Sequence, residues 1–235
     1  MARTKMTRHQ LKEQDGVTSS LQKFTEIVYD RQKEVFAGLA VLAVVVLAII
    51  GWSFYSSSRN ASAQGQLALA INAYNDTAKP DKERYEKTLA EAQKTYDAYR
   101  SLSAGVIAQY YMGLSYEGLG DTAKAVQNLE EAIQRGDDEI KGVARFGLAS
   151  LHKKHGEAQK AIDIYKQLYD GGGYSKAAAA YELAVLYEGS NQLDQAKEYY
   201  QKVVSEFADS PFRQDADTAL KRLGVSAQPP AEKPS

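Results

Sequence analysis

The sequence contains no cysteine, which excludes disulfide bonds, thiolate nucleophiles, cysteine-based zinc sites and a lipid anchor on a cysteine. It also lacks an excess of either charge, since 29 lysines and arginines oppose 30 aspartates and glutamates for a net charge of -1. This balance does not suit a polycation that wraps nucleic acid, and we expect no nucleic-acid partner. Only five prolines occur in 235 residues, which is compatible with a helix-rich chain.

Recognisable signatures of catalysis and of cofactor binding are missing as well. The sequence has no glycine-rich phosphate loop and no Ser/His/Asp grouping with a local signature. His152 and His155 lie three residues apart with Glu157 nearby, but a third defined metal ligand is missing. We therefore predict a protein that is not an enzyme and that takes no metal, cofactor or small-molecule substrate.

One long apolar run stands near the N-terminus. Residues 35–55 contain no charged residue, and as a helix these 21 residues extend about 31 Å, the thickness of a bilayer's hydrocarbon core. Trp52 and Tyr55 lie at its far end, where aromatic rings favour the membrane interface. The alternatives are a buried core helix and a signal peptide cleaved near Ala61-Ser62-Ala63. We predict a transmembrane helix, because the run exceeds the usual 7–15 apolar residues of a signal peptide and 34 residues precede it.

The basic residues near the run predict its orientation. The twenty residues before it include three basic residues, Lys23, Arg31 and Lys33, whereas the twenty after it include one basic residue, Arg59. Because basic residues favour the cytoplasmic side, we expect residues 1–34 to form a cytoplasmic arm and the C-terminal part to lie across the membrane.

Beyond the run, the same helical pattern occurs three times. Its marker alanines are Ala125, Ala161 and Ala196, which lie 36 and 35 residues apart. A fixed period of this length predicts an all-α solenoid of stacked helix pairs. The three copies are Met112-Gly113-x2-Tyr116-x3-Gly120-x4-Ala125-x3-Leu129, Leu148-Ala149-x2-His152-x3-Gly156-x4-Ala161-x3-Tyr165 and Leu183-Ala184-x2-Tyr187-x3-Asn191-x4-Ala196-x3-Tyr200.

Each copy is predicted to be two helices joined at Gly120, Gly156 or Asn191, residue types that tolerate a left-handed backbone. The small residues near Ala125, Ala161 and Ala196 would let the paired helices cross closely. The predicted domain, 56–225, has clear repeats at about 106–139, 142–175 and 177–210. Further predictions are degenerate helices over 61–75 and 82–99, first helices over 102–118, 139–155 and 175–189, second helices over 121–134, 157–169 and 192–206, a capping helix over 211–223 that Pro211 opens, and a disordered tail over 226–235.

This pattern resembles the tetratricopeptide repeat family over residues 106–210, although His152 departs from its usual tyrosine. The whole layout also resembles the ancillary subunit family of the bacterial SecYEG translocon, on the arm 1–34, Trp52 and the repeats beyond it. That second resemblance implies a single-pass protein of the bacterial inner membrane with a periplasmic repeat domain. The partners that it implies are the export channel, periplasmic chaperones and emerging client chains.

The resemblance also implies a concave groove lined by the first helix of each copy. One inward position carries an aromatic residue in every copy, namely Tyr110, Phe146 and Tyr181. An apolar stripe rimmed by mixed charge would suit a partner polypeptide. The alternative is that these rings pack within the stack or under the last helix. Further predicted groove residues are Leu114, Glu117, Lys153, Val185 and Glu188, with Ser150 at the remaining position.

We therefore expect a membrane-anchored protein–protein interaction module that is ancillary to protein export and periplasmic chaperoning. The alternative function is a scaffold or coordinator of cell-envelope or cell-division assembly, whose partners would be envelope assembly factors.

Overall fold

The structure is a computed structural model that describes residues 31–171 and 176–225. The predicted disordered tail, and all of the cytoplasmic arm except its last four residues, lie outside the described residues. Within those ranges the regular structure is entirely α-helical. The helices are α1 (Gln32–Asn75), α2 (Asp81–Tyr99), α3 (Ser103–Gly118), α4 (Thr122–Arg135), α5 (Asp138–Lys154), α6 (Ala158–Gly171), α7 (Lys176–Gly189), α8 (Leu193–Glu206) and α9 (Arg213–Arg222).

The first part of α1 is apolar and open to its surroundings. Every residue from Phe36 to Tyr55 is exposed. The most apolar window of the helix has a mean hydropathy of 2.8, and none of that window is buried. By length and composition this helix can cross a membrane.

The expectation of a separate helix over 61–75 was wrong, because α1 runs unbroken from Gln32 to Asn75. Ser56-Ser57-Ser58 does not interrupt it, since serine lowers helix propensity only slightly and no proline occurs before Pro80. The chain nevertheless divides into two compact units, and the boundary in sequence falls between Arg59 and Asn60.

The second unit contains the predicted solenoid. From α2 onward, each helix packs against the next one along the chain, and α3 also packs against α5. Copy 1 of the repeat is α3 with α4, copy 2 is α5 with α6, and copy 3 is α7 with α8. The bounds of α2 to α9 agree with the predicted ones within two residues, which confirms the fold class. Pro211, however, lies in the turn before α9 rather than at its first position.

The three turns within the copies have the predicted left-handed residue. The φ angles are +85° at Gly120, +74° at Gly156 and +58° at Asn191. In copy 3 the amide of Gln192 donates to the carbonyl of Tyr187 at 2.8 Å, and the other two copies have the equivalent bond. Asparagine therefore replaces glycine here without changing the turn, as expected from its tolerance of this conformation.

Small residues bring the paired helices close together, as predicted. Ala125, Ala161 and Ala196 are fully buried. A methyl group added at Gly113 would lie 2.8 Å from a side-chain carbon of Leu129, so copy 1 has no room for a larger residue there. Around these crossings, Leu129, Tyr165, Tyr187 and Tyr200 are buried and complete the core.

Candidate partner-binding groove

The predicted aromatic residues of the groove lie on three successive first helices. Tyr110 is on α3, Phe146 on α5 and Tyr181 on α7, and all three side chains are half-buried. Complete burial of all three side chains would have ruled out the groove hypothesis, but none of the three is completely buried. The groove therefore stays a prediction.

Tyr110 packs into the junction between copies 1 and 2. Its ring meets that of Tyr111 edge-on with the centroids 5.4 Å apart. A methyl group added at Gly147 of α5 would lie 3.3 Å from the Tyr110 ring and 3.8 Å from Leu114. The absence of a side chain at Gly147 thus leaves room for the Tyr110 ring. Burial raises the pKa of the Tyr110 phenol to about 12.

An open depression of about 300 Å³ lies beside Tyr110, between α3 and α5. We name it the α3–α5 depression; Asp137 and Glu139 stand among its lining residues. Val143 is 45% exposed there, which is unusual for a large apolar residue in the second unit. The apolar side chains that line the depression are Ile107, Tyr110, Tyr111, Ile140 and Val143.

Ile107 and Val143 were not among the predicted groove residues. They lie three residues before Tyr110 and Phe146, and they are 36 residues apart like the first two marker alanines. Residues three apart share a helix face. The same periodicity that identified the aromatic row could therefore have found these two residues.

The charged groove residues are engaged within the chain. Glu117 of copy 1 accepts from Lys154 of copy 2 at 2.6 Å. Lys153 of copy 2 donates to Glu182 of copy 3, also at 2.6 Å. These ion pairs link the first helices of successive copies, so they act in stacking as well as on the rim.

At the C-terminal end the last helix covers the groove. Arg222 of α9 donates to both carboxylate oxygens of Glu188, at 2.6 and 2.9 Å. Phe212 stacks on Tyr181 with the ring centroids 5.2 Å apart. Val185 is half-buried and packs against the core of copies 2 and 3. Tyr181 therefore fits the alternative interpretation, in which the aromatic ring packs under the last helix.

Phe146 lies between these two ends. Its ring meets Tyr165 edge-on with the centroids 5.2 Å apart. Tyr165 is fully buried, so Phe146 contributes one side of its ring to the core. The predicted groove positions therefore differ along the stack, from an open depression beside Tyr110 to a covered end at Tyr181.

The two histidines do not converge on a shared site. His152 pairs through Nδ1 with the carboxylate of Glu157, whereas His155 Nε2 lies 3.2 Å from the hydroxyl of Thr122. Among the described residues, no three histidine, aspartate or glutamate side chains are grouped so that they could hold a metal ion.

Comparisons with known proteins agree with this architecture. The family model described as "Tetratricopeptide repeat-like domain" matches residues 33–224. A putative kinesin light chain from Podosopora anserina, with nearly identical TPR-like repeats, is similar in structure at a TM-score of 0.54 and 18% identity, over 68% of this chain and 84% of that one. A single-residue variant of that protein gives the same values. The structure of MamA is similar at a TM-score of 0.47 and 22% identity, over 61% of this chain and 81% of that one. No curated protein matches this chain.

Proposed function

Since this chain belongs to the tetratricopeptide repeat-like family, we propose that it is a membrane-anchored interaction module on the outer face of the bacterial inner membrane. Domains of this family generally bind proteins, and they typically serve as scaffolds rather than as catalysts. Its role would be ancillary to protein export and periplasmic chaperoning. The partners would be the export channel, periplasmic chaperones and emerging client chains.

The observation that carries this proposal is the exposure of the apolar part of α1. Phe36, Leu47 and Phe54 are 66%, 67% and 78% exposed. The twenty consecutive exposed residues from Phe36 to Tyr55 present much more apolar surface than a helix in water normally exposes. This exposed apolar surface supports insertion of the segment into a lipid bilayer, whose hydrocarbon core it is long enough to span.

The continuity of α1 favours an anchor over a cleaved signal peptide. The candidate cleavage site, Ala61-Ser62-Ala63, lies in the middle of this helix. Ala63 and the following Leu67 and Ala70 are buried in the core beside α2 and α3. Cleavage there would remove Ala63 from the core and leave a new charged terminus next to it.

The basic residues on the N-terminal side of the apolar segment support an orientation with the repeat domain outside. The anchor would then hold the groove near the membrane surface. Confinement raises the effective concentration of a binding surface toward partners in the same membrane, without any additional contact.

The test combines fractionation with site-specific crosslinking of the full chain in its native host. The chain should resist carbonate extraction from membranes, and protease added to intact spheroplasts should digest residues beyond 60. Deletion of residues 36–55 should abolish membrane association and leave the helical content of the rest unchanged. Protection of the repeat domain from external protease, or loss of its helicity in the deletion variant, would contradict the proposal.

Partners are identified with a photo-crosslinking amino acid in place of Val143. The matched control position is Leu193, which is 38% exposed on α8. Crosslinks from position 143 to translocon subunits or periplasmic chaperones, without the same crosslinks from position 193, would support a role in export. Crosslinks to envelope or cell-division components would instead favour the alternative of an assembly scaffold.

A further inference from the structure

We propose that the α3–α5 depression binds a polypeptide segment that presents a large apolar side chain next to lysine or arginine. This inference rests on the proposed function, because it specifies the chemistry of the partner at the open end of the groove. It is carried by three properties of the depression: its apolar lining, its size and its unbalanced charge.

The lining provides an apolar surface that the fold leaves uncovered. Ile107 and Ile140 are half-buried, and Val143, which lines the same depression, is exposed. Among the described residues from 60 onward, the only other exposed large apolar side chains are Leu69 and Leu193. The volume of about 300 Å³ is at the lower end of the range for small-molecule sites, so it suits one or two side chains rather than a whole helix.

The charge of the depression is acidic and has no internal counter-ion among the described residues. Asp137 and Glu139 line it, and Asp138 lies between them in sequence. None of the three takes part in an ion pair with the described residues, whereas Glu117 pairs with Lys154. Two lining carboxylates without an ion-pair partner among the described residues, next to an apolar surface, favour a partner with basic residues beside its apolar anchor.

The acidic residues at the start of α5 are explained in part by helix capping. Asp137 caps the helix, since its Oδ1 accepts from the amide of Ile140 at 2.9 Å, and acidic residues in the first turn suit the helix dipole. Capping does not explain why Val143 is left exposed beside the acids. Lys141 and Arg145 of the same helix carry positive charge, but neither lines the depression.

The experiment uses the full chain in nanodiscs of zwitterionic lipid and three fluorescent peptides of equal length. The peptides carry the sequences Lys-Leu-Leu-Lys, Glu-Leu-Leu-Glu and Lys-Ser-Ser-Lys in the same glycine-serine background. Binding is followed by fluorescence anisotropy, and empty nanodiscs provide the background. Because like charges repel at an interface, we expect Lys-Leu-Leu-Lys to bind at least about tenfold more tightly than Glu-Leu-Leu-Glu. Lys-Ser-Ser-Lys should bind more weakly than Lys-Leu-Leu-Lys, since it lacks the apolar anchor.

The double variant Asp137→Asn/Glu139→Gln tests the acidic rim. Asparagine is as good an N-cap as aspartate, so α5 should remain folded. The variant should weaken binding of Lys-Leu-Leu-Lys by about fivefold, and the loss should shrink at high salt. The matched control is Glu130→Gln/Asp209→Asn, which removes the same two charges from exposed positions outside the depression.

Three results would overturn the inference. The first is equal binding of the basic and acidic apolar peptides. The second is a loss of Lys-Leu-Leu-Lys binding no larger in the rim variant than in the control. The third is self-association of the chain that the rim variant abolishes, which would assign the depression to a second copy.

Failure of this inference can be separated from failure of the proposed function. If the rim variant keeps the wild-type crosslinks to membrane partners, the proposed function survives and the inference is lost. If the wild-type chain forms no such crosslinks but still selects the basic apolar peptide, the proposed function is lost and the chemistry of the depression stands.

Discussion

At the two ends of the predicted groove, equivalent repeat positions have different surroundings. At the N-terminal end, Tyr110 borders an open depression, and Val143 beside it is exposed. At the C-terminal end, Tyr181 stacks against Phe212, the residue immediately before α9. A position in the repeat therefore does not define a binding residue by itself. The helix that packs over that position decides whether its side chain is open to a partner or covered.

The covered end has a structural reason. In the part of the chain that the structure describes, copy 3 is followed by α9 and not by another copy, so its core would face water without α9. Ala216 and Leu220 of α9 are buried against this core. Solenoids generally require such a capping element, because each repeat buries its apolar face only against a neighbour. Copy 1 obtains the same cover from α2 and the end of α1.

The largest predicted loss of stability comes from weakening the contact between α9 and copy 3. Leu220 is fully buried, so Leu220→Ala should lower the free energy of unfolding by about 2–5 kcal/mol through lost burial and a cavity. The measurement is urea unfolding of the full chain in detergent, followed by circular dichroism. Leu193→Ala is the control, since Leu193 is 38% exposed and its truncation should cost less than about 0.5 kcal/mol. Equal losses in the two variants would show that α9 does not cap the stack.

A smaller effect is expected when the cover over Tyr181 is removed. Phe212 is half-buried, so Phe212→Ala should cost about 1–2 kcal/mol of stability, below the value for a fully buried ring. Without the Phe212 ring, Tyr181 would become exposed, and the C-terminal end of the predicted groove would be open like the N-terminal end.

The exposure of Tyr181 in this variant can be followed by its reactivity. Burial is the first cause of its raised pKa, followed by the nearby Asp215. Removing Phe212 should lower the Tyr181 pKa toward its usual value and speed nitration of its ring, as measured by mass spectrometry. Tyr110 lies outside the altered contact and serves as the internal control. Unchanged nitration of Tyr181 would contradict the covering role of Phe212.

Much of the fold can be predicted from the repeat period, whereas the site can be predicted from it only in part. The period indicated the helix pairs and the left-handed turn at Asn191, since both depend on local chemistry. It could not reveal that Glu117 and Lys153 pair with the next copy, because those contacts depend on how successive copies are stacked. The continuity of α1 was not predicted, because the apolar run ends at Tyr55 and the polar residues after it are nevertheless compatible with a helix.

The smallest predicted effect on stability is that of replacing Val143, and the same replacement should clearly weaken binding at the open end. Val143 is 45% exposed, so Val143→Ser should change the free energy of unfolding by less than about 0.5 kcal/mol. The same change should weaken binding of the Lys-Leu-Leu-Lys peptide, because it removes apolar surface from the α3–α5 depression. Leu193→Ser makes a similar change at a similarly exposed position and should leave peptide binding unaltered. If Val143→Ser instead destabilises the chain as strongly as Leu220→Ala, Val143 is a core residue, and the contrast between an open and a covered end is wrong.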